Sequence, residues 1–132
     1  MKKGSIYKCP VCGMVMTVLN GCSCEQGVLC CGREMILMKE QTADSAAEKH
    51  VPFPSEDPQN GFLKITVGEN AAHPMTTEHH IEWIEVRKGN SICRKELLPG
   101  EQPSAVFSLK PESGMILSVY CNIHGLWSYE IK

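Results

Sequence analysis

Near its C-terminus the sequence reads Cys121-Asn122-Ile123-His124-Gly125-Leu126-Trp127, a thiol and an imidazole three residues apart beside a glycine. Such a pair either packs or offers both side chains to one metal ion. Further donors are plentiful, with eight cysteines and five histidines in 132 residues. Six of the eight cysteines lie between Cys9 and Cys31, whereas all five histidines lie at or beyond His50. Thiols crowd one end of the chain and imidazoles the other, which implies two different sites.

The first candidate is a set of thiols. Cys9-Pro10-Val11-Cys12-Gly13 forms a CxxCG knuckle, in which both sulfurs and the turn amides can face one ion. Cys30-Cys31-Gly32 supplies a second, vicinal pair. Four thiolates make the closed tetrahedral site suited to zinc or iron, and spacing alone leaves that choice open. The segment has too few apolar residues to fold unaided, so a bound ion would hold it together. Cys22 and Cys24 stand between the two pairs and could displace one of the four ligands, although a loop thiol between two knuckles is more often a bystander.

The second set comprises His50, His73, His79, His80, Cys121 and His124. A lone histidine is usually a surface or core residue and a lone buried cysteine is usually inert, so the case rests on arrangement. All six fall at strand ends or in loops. Neighbouring side chains on a strand point to opposite faces, so only one of His79 and His80 can face a shared centre. Four imidazoles and one thiolate are too many for tetrahedral zinc and the wrong chemistry for magnesium or calcium. They fill five of six octahedral positions and leave one for a small molecule, which fits iron best. A thiolate opposite that vacancy pushes electron density toward whatever binds there, as in thiolate haems. Blue-copper proteins also place Cys and His close together late in a β-sandwich. They usually add an axial Met soon after, and "GLWSYEIK" following His124 contains none.

The elements that must position these donors read as β-structure. "FLKITVGE" puts Leu63, Ile65 and Val67 on one face. "HHIEWIEVRKGN" is rich in Ile, Trp and Val and ends in a Gly-Asn turn. "AVFSLKPESGMILSVYC" reads as two strands about a Pro-Glu-Ser-Gly turn, and "LWSYEIK" as a last short strand. Three of the eight prolines fall in residues 51–61, "VPFPSEDPQNG", which therefore reads as a loop. The expected fold class is all-β: a small four-cysteine metal-knuckle module at 1–38, a polar linker at 39–49, and an immunoglobulin-like antiparallel β-sandwich at 50–132.

Thirteen basic against fifteen acidic residues argue against a nucleic-acid binder. The N-terminal lysines have no apolar stretch behind them, and the longest apolar run, Met14 to Leu19, is too short to cross a bilayer. A cytoplasmic location is expected, with no membrane partner. In that reducing compartment cysteines more often bind metal than form disulfides.

"EKHVP" (48–52), "HPMTTEHHIEWIEV" (73–86) and "CNIHGLW" (121–127), in this order, resemble the desulfoferrodoxin family of two-iron superoxide reductases. "CPVCG…CCG" resembles that family's desulforedoxin-like domain, and together the motifs span nearly the whole chain. The resemblance implies two iron ions. One would be held by Cys9, Cys12, Cys30 and Cys31. The other would have His50, His73, His79 and His124 in a plane and Cys121 on the axis, with His79 rather than His80 at the ligand position. It implies one-electron reduction of superoxide to hydrogen peroxide, a rubredoxin-like electron donor and a homodimer. Lys49 would draw in the anionic substrate, and the Glu48 carboxylate would fill the sixth position of the oxidised centre. The Cys22–Cys24 loop is richer in thiols than the family pattern, and Cys93 matches none of its ligands. Two other classes stay open: a non-catalytic iron electron-transfer protein of rubredoxin or cupredoxin type, and a zinc-stabilised binding module.

Overall fold

A computed structural model of the chain describes residues 1–43 and 50–132. Its contacts divide it into two units, Met1–Lys39 and Glu40–Lys132. Among the described residues there is no helix, only twelve strands.

The first unit holds β1 (Ile6–Lys8), β2 (Val15–Thr17), β3 (Leu29–Cys30), β4 (Arg33–Glu34) and β5 (Ile36–Leu37). β1 is central to a three-stranded antiparallel sheet, in the order β2-β1-β5, and β3 pairs with β4 as a two-residue hairpin. Its apolar residues are mostly on the surface: Leu19 is 79% and Leu29 71% exposed. Ile6, Cys9, Val18 and Met35 are its buried apolar residues. Four side chains cannot offset the conformational entropy of ordering so many residues, which is the physical need for a staple.

The second unit contains β6 (Pro52–Glu56), β7 (Leu63–Val67), β8 (Ile81–Lys88), β9 (Ser91–Glu96), β10 (Ser104–Phe107), β11 (Ile116–Cys121) and β12 (Gly125–Glu130). They form a three-stranded sheet, β10-β7-β6, and a four-stranded sheet, β12-β11-β8-β9, both antiparallel throughout. One core lies between them. β7 contributes Leu63, Ile65 and Val67, all fully buried, and β11 contributes Leu117, Val119 and Cys121 at the matching period of two. This is the expected all-β sandwich, of immunoglobulin-like architecture. The Pro-Glu-Ser-Gly segment joins strands of different sheets, β10 and β11, so it is a crossover rather than a hairpin.

Residues 51–61 depart from the loop expected there, because Pro52–Glu56 is a strand paired with β7. The order β10-β7-β6 makes it an edge strand. Pro52 and Pro54 are two residues apart, so their missing amides both face away from β7, where no ladder bond is needed. Composition signalled a break, and edge placement removed its cost. The polar stretch after Lys39 also has structure at its start. The Gln41 amide donates to the Leu126 carbonyl at 3.0 Å and its carbonyl accepts from the Ser128 amide at 2.9 Å, which adds a parallel bridge to β12.

Both tryptophans, Trp83 and Trp127, lie in the second unit, so their fluorescence follows its unfolding. Ile65→Ala should cost about 2–5 kcal/mol in urea denaturation, the range for truncating a buried aliphatic chain. Ile92→Ala, on the exposed edge strand β9, should stay within about 0.5 kcal/mol. Equal losses at the two positions would overturn this placement of the core.

Candidate metal centres

In the first unit the Cys9, Cys12, Cys30 and Cys31 sulfurs all lie within 4.8 Å of one another. The knuckle is organised from the backbone. The amides of Val11 and Cys12 both donate to Cys9 Sγ at 3.4 Å. The vicinal pair needs a special backbone: Cys31 takes a positive φ of 54°, followed by Gly32 at 72°. Adjacent side chains in an extended chain would diverge, and the left-handed turn swings the second sulfur back beside the first. Sγ of Cys12 lies 3.7 Å from that of Cys30, which lies 4.0 Å from that of Cys31. Sulfurs about 2.3 Å from one ion at tetrahedral angles sit about 3.8 Å apart, so the donor set fits a tetrahedral metal.

The protons on these sulfurs are unevenly held. Cys9 is lowered to about 6, chiefly because the Cys12 amide donates to its sulfur, with a smaller contribution from Val11 and against the opposing effect of burial. Cys30 is pushed up to about 12, mainly by hydrogen bonding to Cys9 and then to Cys12. Cys31 is raised too, first through Cys12. Cys9 forms a thiolate readily, and Cys30 and Cys31 hold their protons until a cation replaces them. Cys22 and Cys24 are exposed and stand outside the cluster; the Cys24 thiol donates to the Gln26 carbonyl at 3.9 Å.

In the second unit the ligating atoms of His50, His73, His79 and Cys121 lie within 4.8 Å of one another. His124 is the fifth: its Nδ1 sits 3.1 Å from His50 Nε2 and 3.8 Å from Cys121 Sγ. The imidazoles close a ring in the order His50, His73, His79, His124. Successive centroids are 4.7, 4.8, 5.0 and 4.8 Å apart, and each ring is turned steeply against the next. Nitrogens about 2.1 Å from one ion at a right angle would be about 3.0 Å apart. The pair at 3.1 Å meets that spacing, so the set of four imidazoles and one thiol fits a single ion as the four-cysteine set does. Together they match a complement of two irons.

Each donor has its own support. His50, two residues ahead of β6, is buried and stacks on Trp127, with centroids 4.6 Å apart and an interplanar angle of 12°. His73 holds Nδ1 2.7 Å from the Pro74 carbonyl, which makes Nδ1 the protonated nitrogen and gives Nε2 the lone pair. His79 ends a short bend: its amide donates to Thr76 Oγ1 at 3.1 Å, and its carbonyl accepts from the Thr76 amide at 2.9 Å. Cys121 ends β11 fully buried, and its sulfur accepts the His124 amide at 3.4 Å. The carbonyl of His124 accepts from Gln41 Nε2 at 2.8 Å and from Trp127 Nε1 at 3.2 Å.

A β-bulge decides between the two adjacent histidines. Tyr120 pairs with Trp83, but Cys121 pairs with Ile81, so Glu82 is the extra residue on β8. Ile81 thereby takes the core-facing position next to Cys121, and His79, two residues earlier, shares that side. His80 turns the other way, with Nε2 4.0 Å from Glu82. Cys93 is exposed on β9 and belongs to neither cluster. Glu48 and Lys49 lie outside the described residues.

Sequence reasoning did not single out Trp127, Asn122 or Gln41 as parts of the site. Trp127 and Asn122 sit inside the motif that names two donors, a signal that was available. Gln41 lies in a polar stretch with no pattern to mark it.

A family model described as Desulfoferrodoxin matches residues 42–130. A desulfoferrodoxin of Nitratidesulfovibrio vulgaris is 45% identical over 125 residues, covering 95% of this chain and 94% of its own. A superoxide reductase of Pyrococcus horikoshii is 35% identical over 113 residues, covering 73% of this chain and 98% of its own. Among solved structures, the superoxide reductase from Treponema pallidum superposes with a TM-score of 0.71 at 25% identity, covering 96% of this chain and 97% of that one. With the family's motifs in order and both donor sets assembled, the chain belongs to the desulfoferrodoxin family.

Proposed function

We propose that the chain is a superoxide reductase, which converts superoxide, one electron and two protons to hydrogen peroxide without releasing dioxygen. The observation that carries this reading is the closed ring of four imidazoles beside a buried cysteine sulfur. Relatives and a structural neighbour named superoxide reductase support it.

In this reading His50, His73, His79, His124 and Cys121 hold one iron, and Cys9, Cys12, Cys30 and Cys31 hold another. A ferrous ion bound by the histidine-rich set would supply the single electron and a site for a small anion. The protein's part is to fix the donors and grade their exposure. Cys121 and His50 are buried while His124 is exposed, so the ring lies near solvent with its sulfur on the protein side. The His124 amide stabilises the Cys121 thiolate by donating to it. Stacking on Trp127 stops the His50 ring from turning away from its neighbours. Lys49 precedes His50 directly in the chain, and its ammonium would raise the encounter rate of an anionic substrate. Glu48, next to Lys49 in the chain, would offer a carboxylate to the oxidised iron.

The electron would come from a small rubredoxin-like donor, and the molecule would work as a homodimer in the cytoplasm. Exposed Leu19, Leu29 and Ile36 on the first unit give a second copy an apolar surface to cover. Among the described residues no helix is long and apolar enough to cross a membrane.

Three measurements test the proposal. Azide should shift the visible spectrum of the oxidised iron protein, because in this reading the histidine-rich centre has a site that a small anion can take. An unmoved spectrum would favour the closed centre of a non-catalytic electron-transfer protein. Cys121→Ser should abolish the sulfur-to-iron absorption of the histidine-rich centre and spare that of the four-cysteine centre; a band that persisted would remove Cys121 from the ligand set. Lys49→Ala should slow the second-order reaction with superoxide by about tenfold and flatten its dependence on ionic strength. An unchanged rate would remove Lys49 from the mechanism.

A further inference from the structure

We infer that Asn122 is a positioning residue that holds His79 in the imidazole ring, an assignment that rests on the metal-site reading above. The donors are braced in different ways. His50 lies against Trp127. His73 is fixed through its own ring nitrogen, and His124 through its amide and carbonyl. His79 is half-buried on a bend outside any strand, and the bonds from Thr76 tie it only to its own loop.

Asn122 connects that loop to the rest of the site. Its Nδ2 donates to the Glu78 carbonyl at 2.9 Å, and its Oδ1 accepts the His80 amide at 3.0 Å. Its backbone amide donates to the His80 carbonyl at 3.2 Å. One carboxamide therefore grips the residues on both sides of His79, and it belongs to the residue that follows Cys121. Thiolate and imidazole are set in mutual register by a clasp on the backbone either side of His79. The clasp needs one donor and one acceptor on a short stem. Aspartate keeps the acceptor but would set a carboxylate against the Glu78 carbonyl, and alanine loses both arms.

The test uses the iron-loaded protein with both centres filled. Competition with a ferrous chelator should show the iron at the histidines held about 10–100-fold less tightly in Asn122→Ala and Asn122→Asp, the usual scale for removing a group that orients a metal ligand. The absorption of the four-cysteine centre serves as an internal control and should not move. In a His79→Ala background the further effect of Asn122→Ala should nearly vanish, because the clasp acts through His79. A merely structural role would give the same penalty in both backgrounds, and that result overturns the inference. So does unchanged iron affinity in both Asn122 variants. Amide hydrogen exchange of the apo-protein adds a readout independent of metal: His80 should lose protection in Asn122→Ala, and retained protection also sinks the assignment. A wild-type protein that took up no iron at its histidines would overturn the metal-site reading, while His80 exchange would still decide whether the clasp exists.

Discussion

A backbone amide pointed at a sulfur organises the second unit's site. The N–H of His124 lies 3.4 Å from Cys121 Sγ, which folds the turn so that a thiol and an imidazole three residues apart can face one point. The turn is closed by the pairing of Cys121 with Gly125, which takes a φ of 84°. A side chain there would meet its own backbone, so glycine is what the geometry requires. The other donors must come to this hairpin, and the sheet order brings them. Pro52 pairs with Val67, so the start of β6, with His50 ahead of it, lies beside the end of β7, where the loop carrying His73 leaves. Cys121 pairs with Ile81, so the end of β11 lies beside the start of β8, just past His79. Antiparallel pairing aligns donors within each sheet, and the packing of the two sheets about one core brings the three stretches of sequence together at strand ends.

The first unit uses the same device with less support. Amides of Val11 and Cys12 aim at Cys9, and a left-handed Cys31 brings the vicinal sulfurs together. The sandwich has a continuous apolar core behind its donors; the small unit buries little and exposes much. The histidine site is therefore a feature of a fold that stands on its own packing. In the cysteine unit the metal site and the fold are one problem, because binding free energy there is folding free energy.

Much of this could be read from residue order. Leu63, Ile65 and Val67 alternate because β7 is the middle strand of its sheet with one face in the core. The Gly89-Asn90 turn marks the β8–β9 hairpin, and the donors announced themselves by type and spacing. What escaped has physical reasons. Edge position made Pro52 and Pro54 acceptable in a strand, and position within a sheet is a tertiary fact that local composition does not carry. The bulge at Glu82 depends on a comparison of two strands far apart in the chain. Asn122 and Gln41 act by bonding to segments about forty and eighty residues away, and single amides leave no periodic signal.

The two donor sets also divide the labour through charge. Four thiolates around a divalent ion leave the centre net negative, whereas one thiolate with four neutral imidazoles leaves it net positive. A small anion is repelled by the first and attracted by the second, before any steering lysine is considered. Low dielectric sharpens that contrast where donors are buried, and Cys121 is the fully buried member of its set. The lone thiolate is enough to enrich the metal's electrons without cancelling its pull on an anion. Histidine elsewhere in the ring is thus required by charge as much as by geometry: replacing one imidazole with a second thiolate would keep five donors and still remove the attraction for a small anion.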